Sequence, residues 1–500
     1  NLLKAGRRFN SWQMSEILKR ASVVRNDVAI MQRQIKAIRY IKPFFQADPK
    51  DFKLQAQIVA QMVREFGPFF IKLAQAAAAN SDFLPEEIAK ELDVFHEDVP
   101  PMSEAEVRQA FMECYGKMPE KLYLDFDASK PLKSGSIGSV YLAKKPFMEN
   151  GREVLRPIIV KVGRQNIDRE FTIGKMVIGL AVLSSQYWAP HSKLAPFLQA
   201  LNLQVDEFVK GFSQELDFTT EAENQSRFYD RSTNSRQWRV PALYGASSRV
   251  IEMEYLGDAV SLTRAIAQQH PHQKRKFAQN VTEKLIYTLI MQIAVYQEAH
   301  GDLHPGNIMV SDSGELYLID WGNRVDLHGK WGRVWAYLIS ALSGDVERLA
   351  DTLIAISTDV TANTARRHDI IATLTDTLHK KKIEPLSFPV LITELRRDGL
   401  GAFKVRLETA LHLISNTQQL NMIVTSDYLH LSRSLFAAMG SFSTLYEGQS
   451  KWWLAWHVMR GTVRFPLLYV RDKLGTAPAG ILRLPNKVRS MMPRLTWGGK

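Results

Sequence analysis

The stretch "YQEAHGDLHPGNIMVSDSGELYLIDWG", residues Tyr296–Gly322, constrains the fold more than any other part of the chain. It places His300, Asp302, His304 and Asn307 around a Pro-Gly turn, then closes an apolar run on Asp320, Trp321 and Gly322. The short runs "GNIMV" and "ELYLID" predict a β-hairpin pair. Asp302 and Asn307 stand at the D-x-x-x-x-N spacing of a phosphotransfer catalytic loop. On that reading Asp302 orients or deprotonates an attacking hydroxyl and Asn307 holds a metal ion. Asp320, at the end of its strand, coordinates a Mg²⁺ that bridges phosphates. Carboxylates and a carboxamide are the oxygen ligands that hard Mg²⁺ prefers. His300 and His304 are expected to brace the loop backbone. A zinc reading of the two is the weaker one, because the turn and acid between them already have an explanation.

Such chemistry also needs a loop over the phosphates, a cation on them and a carboxylate to lock that cation. The expected loop is "SGSIGSVYLA" (134–143), where Gly135 and Gly138 let backbone approach phosphates and Ser134, Ser136 and Ser139 add hydroxyl donors. Glycine turns between strands are common, so this signal is weak alone. The expected cation is Lys161 in the β-branched run "PIIVKVG" (157–163), where a buried lysine is costly unless paired. Its predicted partner is Glu221, on a helix that also presents Glu215 and Asp217; without Lys161 it would read as an ordinary exposed acid. "IEMEYLG" (251–257) reads as a strand entering a turn, a linker whose Glu254, Tyr255 and Leu256 backbone groups contact adenine.

Around these parts the pattern is mixed. Residues 1–48 read as a basic amphipathic helical segment, and 49–121 as a helical extension with breaks at Gly67-Pro68 and near Pro85. Ser103 is expected to cap the helix that begins at Glu104. Residues 122–256 read as a strand through Val140 and Leu142, then a loop, then a second strand at 157–163, with inserted helices; 257–445 read as a helical lobe, and 446–500 as a basic aromatic tail. The fold class this predicts is α+β.

Charge is placed unevenly. Residues 1–44 carry ten Lys/Arg against Glu16 and Asp27, and residues 450–500 carry ten against Asp472, although the whole chain is only +12. Both basic ends hold aromatics, among them Trp12, Trp452, Trp453, Trp456 and Trp497. Cations beside tryptophans suit a helix lying in a headgroup layer, and equally a helix docked on its own protein. No run of 18 or more apolar residues exists, and Met176–Trp188 is too short to span a bilayer. Nucleic acid is not expected as a partner, since no groove-reading helix or base-stacking sheet motif accompanies the charge. The start has no signal-peptide apolar region and no initiating Met. Cys114 is the only cysteine, which excludes an intramolecular disulfide and fits a reducing compartment.

These residues together resemble the UbiB/AarF/ADCK atypical kinases over roughly residues 50–340. "FGPFFIKLAQAAAANSDFLPEEIAKELDVFHEDVPP" is similar to that family's N-terminal extension, with Lys72 and Gln75 in its KxGQ signature. "QELDFTTEAEN" is similar to its ExD segment, with Glu215 and Asp217 in the ExD places. The resemblance implies a two-lobed protein-kinase-like fold whose extension covers the active site, with Lys72 where a protein substrate would bind. It implies ATP and Mg²⁺ as cofactors and a role in ubiquinone or other isoprenoid-lipid metabolism. It also implies a protein peripheral to the inner face of a membrane (the matrix side in mitochondria), with other proteins of a lipid biosynthetic complex as partners. Three departures stand out: the phosphate loop is Ser/Gly-rich where the family's is alanine-rich, Ala74 replaces the KxGQ glycine, and Asp320-Trp321-Gly322 replaces Asp-Phe-Gly. Two other readings fit in part, an aminoglycoside- or choline-type phosphotransferase and a nucleotide-binding scaffold without catalysis. Lys72–Gln75 and Glu215/Asp217 weigh against the first. The full set of Lys161, Glu221, Asp302, Asn307 and Asp320 weighs against the second.

Overall fold

A computed structural model describes residues 101–135, 137–165, 218–387, 401–415 and 424–476, with short helical pieces before and between them. The fold is α+β and kinase-like, divided into two compact units: residues 1–222 with 243–255, and residues 223–242 with 256–500.

The first unit is built on an antiparallel sheet of five strands: β1 (Lys133–Ser134), β2 (Gly138–Glu149), β3 (Arg152–Gly163), β4 (Leu243–Ala246) and β5 (Val250–Glu254). Their order is β1-β2-β3-β5-β4. The sequence reading places a loop between β2 and β3, whereas both strands run for 12 residues and turn on two. Asn150 and Gly151 make that turn, with φ of 50° and 77°, the left-handed pair that matches the twist of a hairpin. The first half of β3, Arg152–Pro157, is exposed throughout, so it lacks the alternation that marks a strand in sequence. Helix α1 (Glu104–Tyr115) starts on the expected cap: the Ser103 hydroxyl accepts from Glu106 N, and the Glu106 carboxylate accepts from Ser103 N at 2.8 Å. It lays Val107, Ala110 and Phe111 on the core formed by Tyr123, Tyr141, Ile158, Val160 and Val162.

Helix α2 (Phe218–Ser232) contains the division between the units, which falls after Ala222. The second unit continues with β6 (Ala259–Ser261), α3 (Leu262–Ala267) and α4 (Pro271–Ile290). It then has β7 (Glu298–His300), β8 (Ile308–Ser311), β9 (Leu316–Leu318) and β10 (Arg324–Asp326). Strands β8 and β9 are the expected hairpin, with β6 on the far side of β8, and β7 pairs with β10. The remainder is helical: α5 (Trp331–Ser343), α6 (Val346–Ala355), α7 (Val360–Ala365), α8 (Arg367–Lys380), α9 (Gly401–Ser415), α10 (Ser426–Leu445) and α11 (Lys451–Thr476). One core joins α5, α6, α8, α9 and α10 through Tyr337, Leu349, Leu353, Leu374, Leu413 and Leu431. A second gathers Phe228, Trp238, Leu285, Ile308, Leu318 and Trp321 beneath the β8–β9 hairpin.

Candidate functional site

In the first unit Lys161 lies near the C-terminal end of β3, opposite Val140 on β2 and Ile251 on β5. A central strand flanked by two others leaves its side chain little water, and Lys161 and Glu221 are both buried. The Lys161 Nζ donates to both carboxylate oxygens of Glu221 at 2.7 Å, and it also lies 5.1 Å from the centre of the Phe218 ring. Burial is costly for two charges, so two short hydrogen bonds and a cation–π contact are what make it tolerable.

The 134–139 turn is held by Gly135 N donating to Gly138 O at 2.8 Å. Gly138 has a local reason to be glycine: a Cβ would lie 2.2 Å from Val162 O on the neighbouring strand. At Gly135 the nearest atom would be 3.7 Å away, so this is the glycine with room beside it. Ser139 departs from the expectation. It is fully buried, and its hydroxyl is engaged by Met102 N at 3.3 Å and Ser134 Oγ at 3.0 Å, so it braces the turn from beneath. Ser136 lies outside the described residues, as do Lys72, Gln75, Glu215 and Asp217. Arg164, which the sequence reading passed over, closes the turn with its backbone N on Ile137 O at 2.8 Å and its Nε on Gly135 O at 3.4 Å. Glu254 and Leu256 are half-buried and Tyr255 is 36% exposed, and the unit boundary falls between Tyr255 and Leu256.

In the second unit the 300–323 segment is fixed through its backbone. The buried His300 ring is the centre. Its Nδ1 accepts from Asp302 N at 3.0 Å, which makes Nε2 the protonated nitrogen, and Nε2 donates to Ile319 O at 3.0 Å. One ring therefore ties the catalytic-loop segment to the residue before Asp320. Burial pushes the imidazole pKa down, against the opposing influence of the Ile319 carbonyl and the Asp302 and Asp320 charges. His304 Nδ1 accepts from Gly306 N at 3.0 Å, so both histidines brace the loop. Asn307 is buried, with Nδ2 donating to Asp302 O at 3.0 Å, while Ile319 N donates to Asn307 O at 3.0 Å. Two α10 hydroxyls finish the frame, Ser434 on His300 O and Ser441 on Leu303 O.

The carboxylates themselves face outward. Asp302 keeps 47% of its side chain exposed, with His304 Nε2 at 3.7 Å, and Asp320 is also exposed. Asp320 has φ of 63°, a left-handed conformation that costs a non-glycine residue on the order of 1 kcal/mol and recurs at functional sites. Trp321 supplies the anchor: fully buried, it stacks on Phe228 at 4.1 Å between ring centres and meets His300 edge-on at 4.5 Å. Its carbonyl accepts from Asn224 Nδ2 at 3.1 Å. Glu298, at the start of β7, is buried among Arg227, Arg231 and Arg324. Burial raises its pKa, but the hydrogen bond and charge of Arg231, aided by Arg324 and Arg227, outweigh it and hold the carboxyl below its ordinary range. Three arginines on one acid thus join α2 to the strands on both sides of the 301–323 segment. The sequence reading missed Asn224, Arg227, Arg231, Glu298 and Arg324. The i, i+4 spacing of Arg227 and Arg231 was the one available signal, and nothing in sequence says that they converge on Glu298.

Asp302, Asn307 and Asp320 offer the oxygen donors that fit a hard cation. Glu298, Asp326 and His328 also come close enough together to hold an ion, but the arginines around Glu298 already satisfy it electrostatically.

Residues 94–353 match the family described as "ABC1 atypical kinase-like domain". A probable protein kinase UbiB of Aeromonas hydrophila is 31% identical over 249 residues, 49% of this chain and 42% of that protein. The chloroplastic protein Activity of BC1 Complex Kinase 8 of Arabidopsis thaliana is 27% identical over 275 residues, 54% of this chain and 34% of its own length. The chain spans about half the length, or less, of the curated relatives it matches. Among solved structures, a Mycobacterium tuberculosis protein in complex with erythromycin aligns over 86% of this chain and 94% of its own, with 15% identity and a TM-score of 0.42.

Proposed function

Because this chain belongs to the ABC1 family of atypical kinases, UbiB-type, we propose that it binds Mg-ATP and transfers or hydrolyses the terminal phosphoryl group at a membrane surface. The observation that carries the reading is the Lys161–Glu221 pair. An apolar pair would fill the same space at no electrostatic cost, so a buried ammonium fixed by both oxygens of one carboxylate is best explained by a need for a positioned cation.

Bound Mg-ATP would supply the phosphoryl group and the metal charge that neutralises its oxygens. The protein's own residues do the rest. Lys161 meets phosphate oxygens, and Glu221 sets its direction. Gly135, with room beside its Cα, would let the turn approach the phosphates closely, with Ser134 next to it. The backbone of Glu254, Tyr255 and Leu256 would pair with adenine. Asn307 and Asp320 are the residues that would hold Mg²⁺ through their side-chain oxygens, and Asp320 is exposed on its left-handed backbone. Asp302, held by the His300 ring through its N–H, orients the attacking hydroxyl or water and accepts its proton. The reaction serves isoprenoid-quinone or other lipid metabolism, as the resemblance to the UbiB-type kinases implies.

The test is thermal stability and phosphate release with Mg-ATP, with and without phosphatidylglycerol vesicles and lipid extracts, beside a screen of small hydroxyl acceptors. A Mg²⁺-dependent rise in melting temperature with turnover stimulated by lipid supports the proposal. No response to any nucleotide sinks it, and turnover with a small hydroxyl acceptor alone moves the assignment to a small-molecule phosphotransferase.

A further inference from the structure

Helix α11 packs one face against its own unit. Gly461 permits a close approach to α4, since a Cβ there would meet Ile286 Cβ at 3.3 Å. Arg464 Nη1 reaches Glu283 at 2.6 Å and Arg460 Nε reaches the same carboxylate at 3.0 Å. His457 Nδ1 bonds Tyr446 Oη at 2.6 Å, and Asp472 accepts from Ser235 Oγ at 2.7 Å. The expectation that this helix docks on its own protein is therefore met on that face.

The opposite face is apolar as well. Trp452, Trp456, Met459, Val463, Leu467 and Val470 recur at intervals of three and four, and their exposures range from 43% for Trp456 to 74% for Val463. At about 1.5 Å per residue they form one stripe about 27 Å long. Single exposed apolar residues are ordinary, but an aligned row of large ones is the pattern of a contact surface.

We infer that this stripe is the face by which the protein lies on a bilayer rich in anionic lipid. The charge on the helix selects that occupant. Residues 451–476 contain Lys451, Arg460, Arg464, Arg471 and Lys473 against one acid, Asp472, which is buried on Ser235. Helical spacing at about 100° per residue sets Arg460, Arg464 and Arg471 along one flank of the stripe. Glu283 of α4, which pairs with both Arg460 and Arg464, offsets only one of these charges, so pairing this face with a second copy would still bring net-cationic flanks together. Anionic headgroups offset them directly, each cation being worth up to about 1 kcal/mol near such a surface. Tryptophans at one end of the stripe suit the headgroup layer, and no helix among the described residues is long and apolar enough to cross the bilayer, so α11 lies in its plane. The inference deepens the membrane part of the proposed function and does not depend on its nucleotide chemistry.

The experiment is flotation of the full chain with vesicles of phosphatidylglycerol and phosphatidylcholine, against phosphatidylcholine alone, for the native protein and for V463S/L467S. Both positions are exposed, so the substitutions leave the fold and the Mg-ATP thermal shift unchanged. Expected are flotation with the anionic vesicles, its weakening in high salt, and a roughly tenfold or greater loss of partitioning in the double variant. Equal flotation of the variant, equal flotation with neutral vesicles, or none at all overturns the inference. A doubled mass by light scattering that V463S/L467S abolishes reassigns the stripe to a second copy. A protein that floats as expected but shows no Mg-ATP shift leaves this inference standing and removes the nucleotide reading instead.

Discussion

The two units hold their candidate site charges in opposite ways. Lys161 and Glu221 are buried and fixed by each other, with 11% and 1% of their side chains exposed. Asp302 and Asp320 face solvent, and what is fixed is the backbone beneath them: the His300 ring on Asp302 N, the Asn307 amide on Asp302 O, and Trp321 packed under Asp320. A charge held by its partner cannot be removed without disturbing the fold. An exposed charge on a fixed backbone can be removed at a far smaller cost. Stability and chemistry should therefore separate cleanly in the second unit and remain entangled in the first.

The largest expected effect tests the entangled side. Lys161→Met leaves Glu221 buried without its cation and should cost about 3–5 kcal/mol of stability, along with nucleotide binding. The double substitution Lys161→Met/Glu221→Leu should recover most of that stability while the Mg-ATP shift stays absent. Denaturant midpoints paired with thermal shifts measure both. If the single variant is as stable as the native protein, the pair is not held as the structure holds it.

Next comes the side where the two should separate. Asp302→Asn should keep stability within about 0.5 kcal/mol and retain Mg-ATP binding, yet lower turnover by roughly 100-fold or more. Asp320→Asn should abolish Mg²⁺-dependent binding itself. Asp320→Gly should do the same while stabilising the protein slightly, because glycine adopts the left-handed backbone without strain. Equal loss of binding in Asp302→Asn and Asp320→Asn would contradict the separate roles.

A middle-sized effect concerns the anchor. Trp321→Phe keeps an aromatic ring on Phe228 but removes the Nε1 bond to Leu318 O and leaves a small void, for a cost of about 1–3 kcal/mol. Mg-ATP should still bind. Loss of binding without loss of stability would mean that Trp321 does more than hold Asp320 in place.

The same contrast explains what could be read from sequence. The β8–β9 hairpin, the Ser103 cap, the bracing histidines and the loop spacing all lie within a few residues of one another, where local pattern suffices. The approach of Lys161 to Glu221, 60 residues apart, was inferable only because a lysine inside an apolar strand demands a partner. Glu298 with its arginines was not, since the topology brings α2, β7 and β10 together and each residue alone looks like a surface charge. Ser139 misled because a hydroxyl beside glycines suits a phosphate loop, while the strand alternation that buries it was the stronger cue. The full length of the β2–β3 hairpin was missed because the first half of β3 is exposed throughout, although Asn150-Gly151 marked the turn.

The smallest expected effect is on pH, and it again sets buried groups against exposed ones. Burial is the leading cause that lowers the pKa of both His300 and His457 from the ordinary 6.5. Above that value both rings are neutral in the folded and unfolded chains, and their contribution to stability is fully present. Below it the unfolded chain takes up protons that the native rings resist, so stability declines as pH falls through 6.5 toward the folded pKa values. Each ring can contribute a slope of at most about 1.4 kcal/mol per pH unit. Glu298, Asp326 and Asp351 have carboxyl pKa values held below their ordinary 4.5 or 3.8, so their losses begin in more acid solution. The interval between pH 6.5 and 4.5 therefore isolates the histidines. Urea midpoints across that interval should fall steadily in the native protein and less steeply in His457→Gln, in which the ring beneath the catalytic loop still resists protonation. A flat native profile would mean that His300 is protonated in the folded state, and its Nδ1 could then no longer accept the Asp302 N–H that holds the loop.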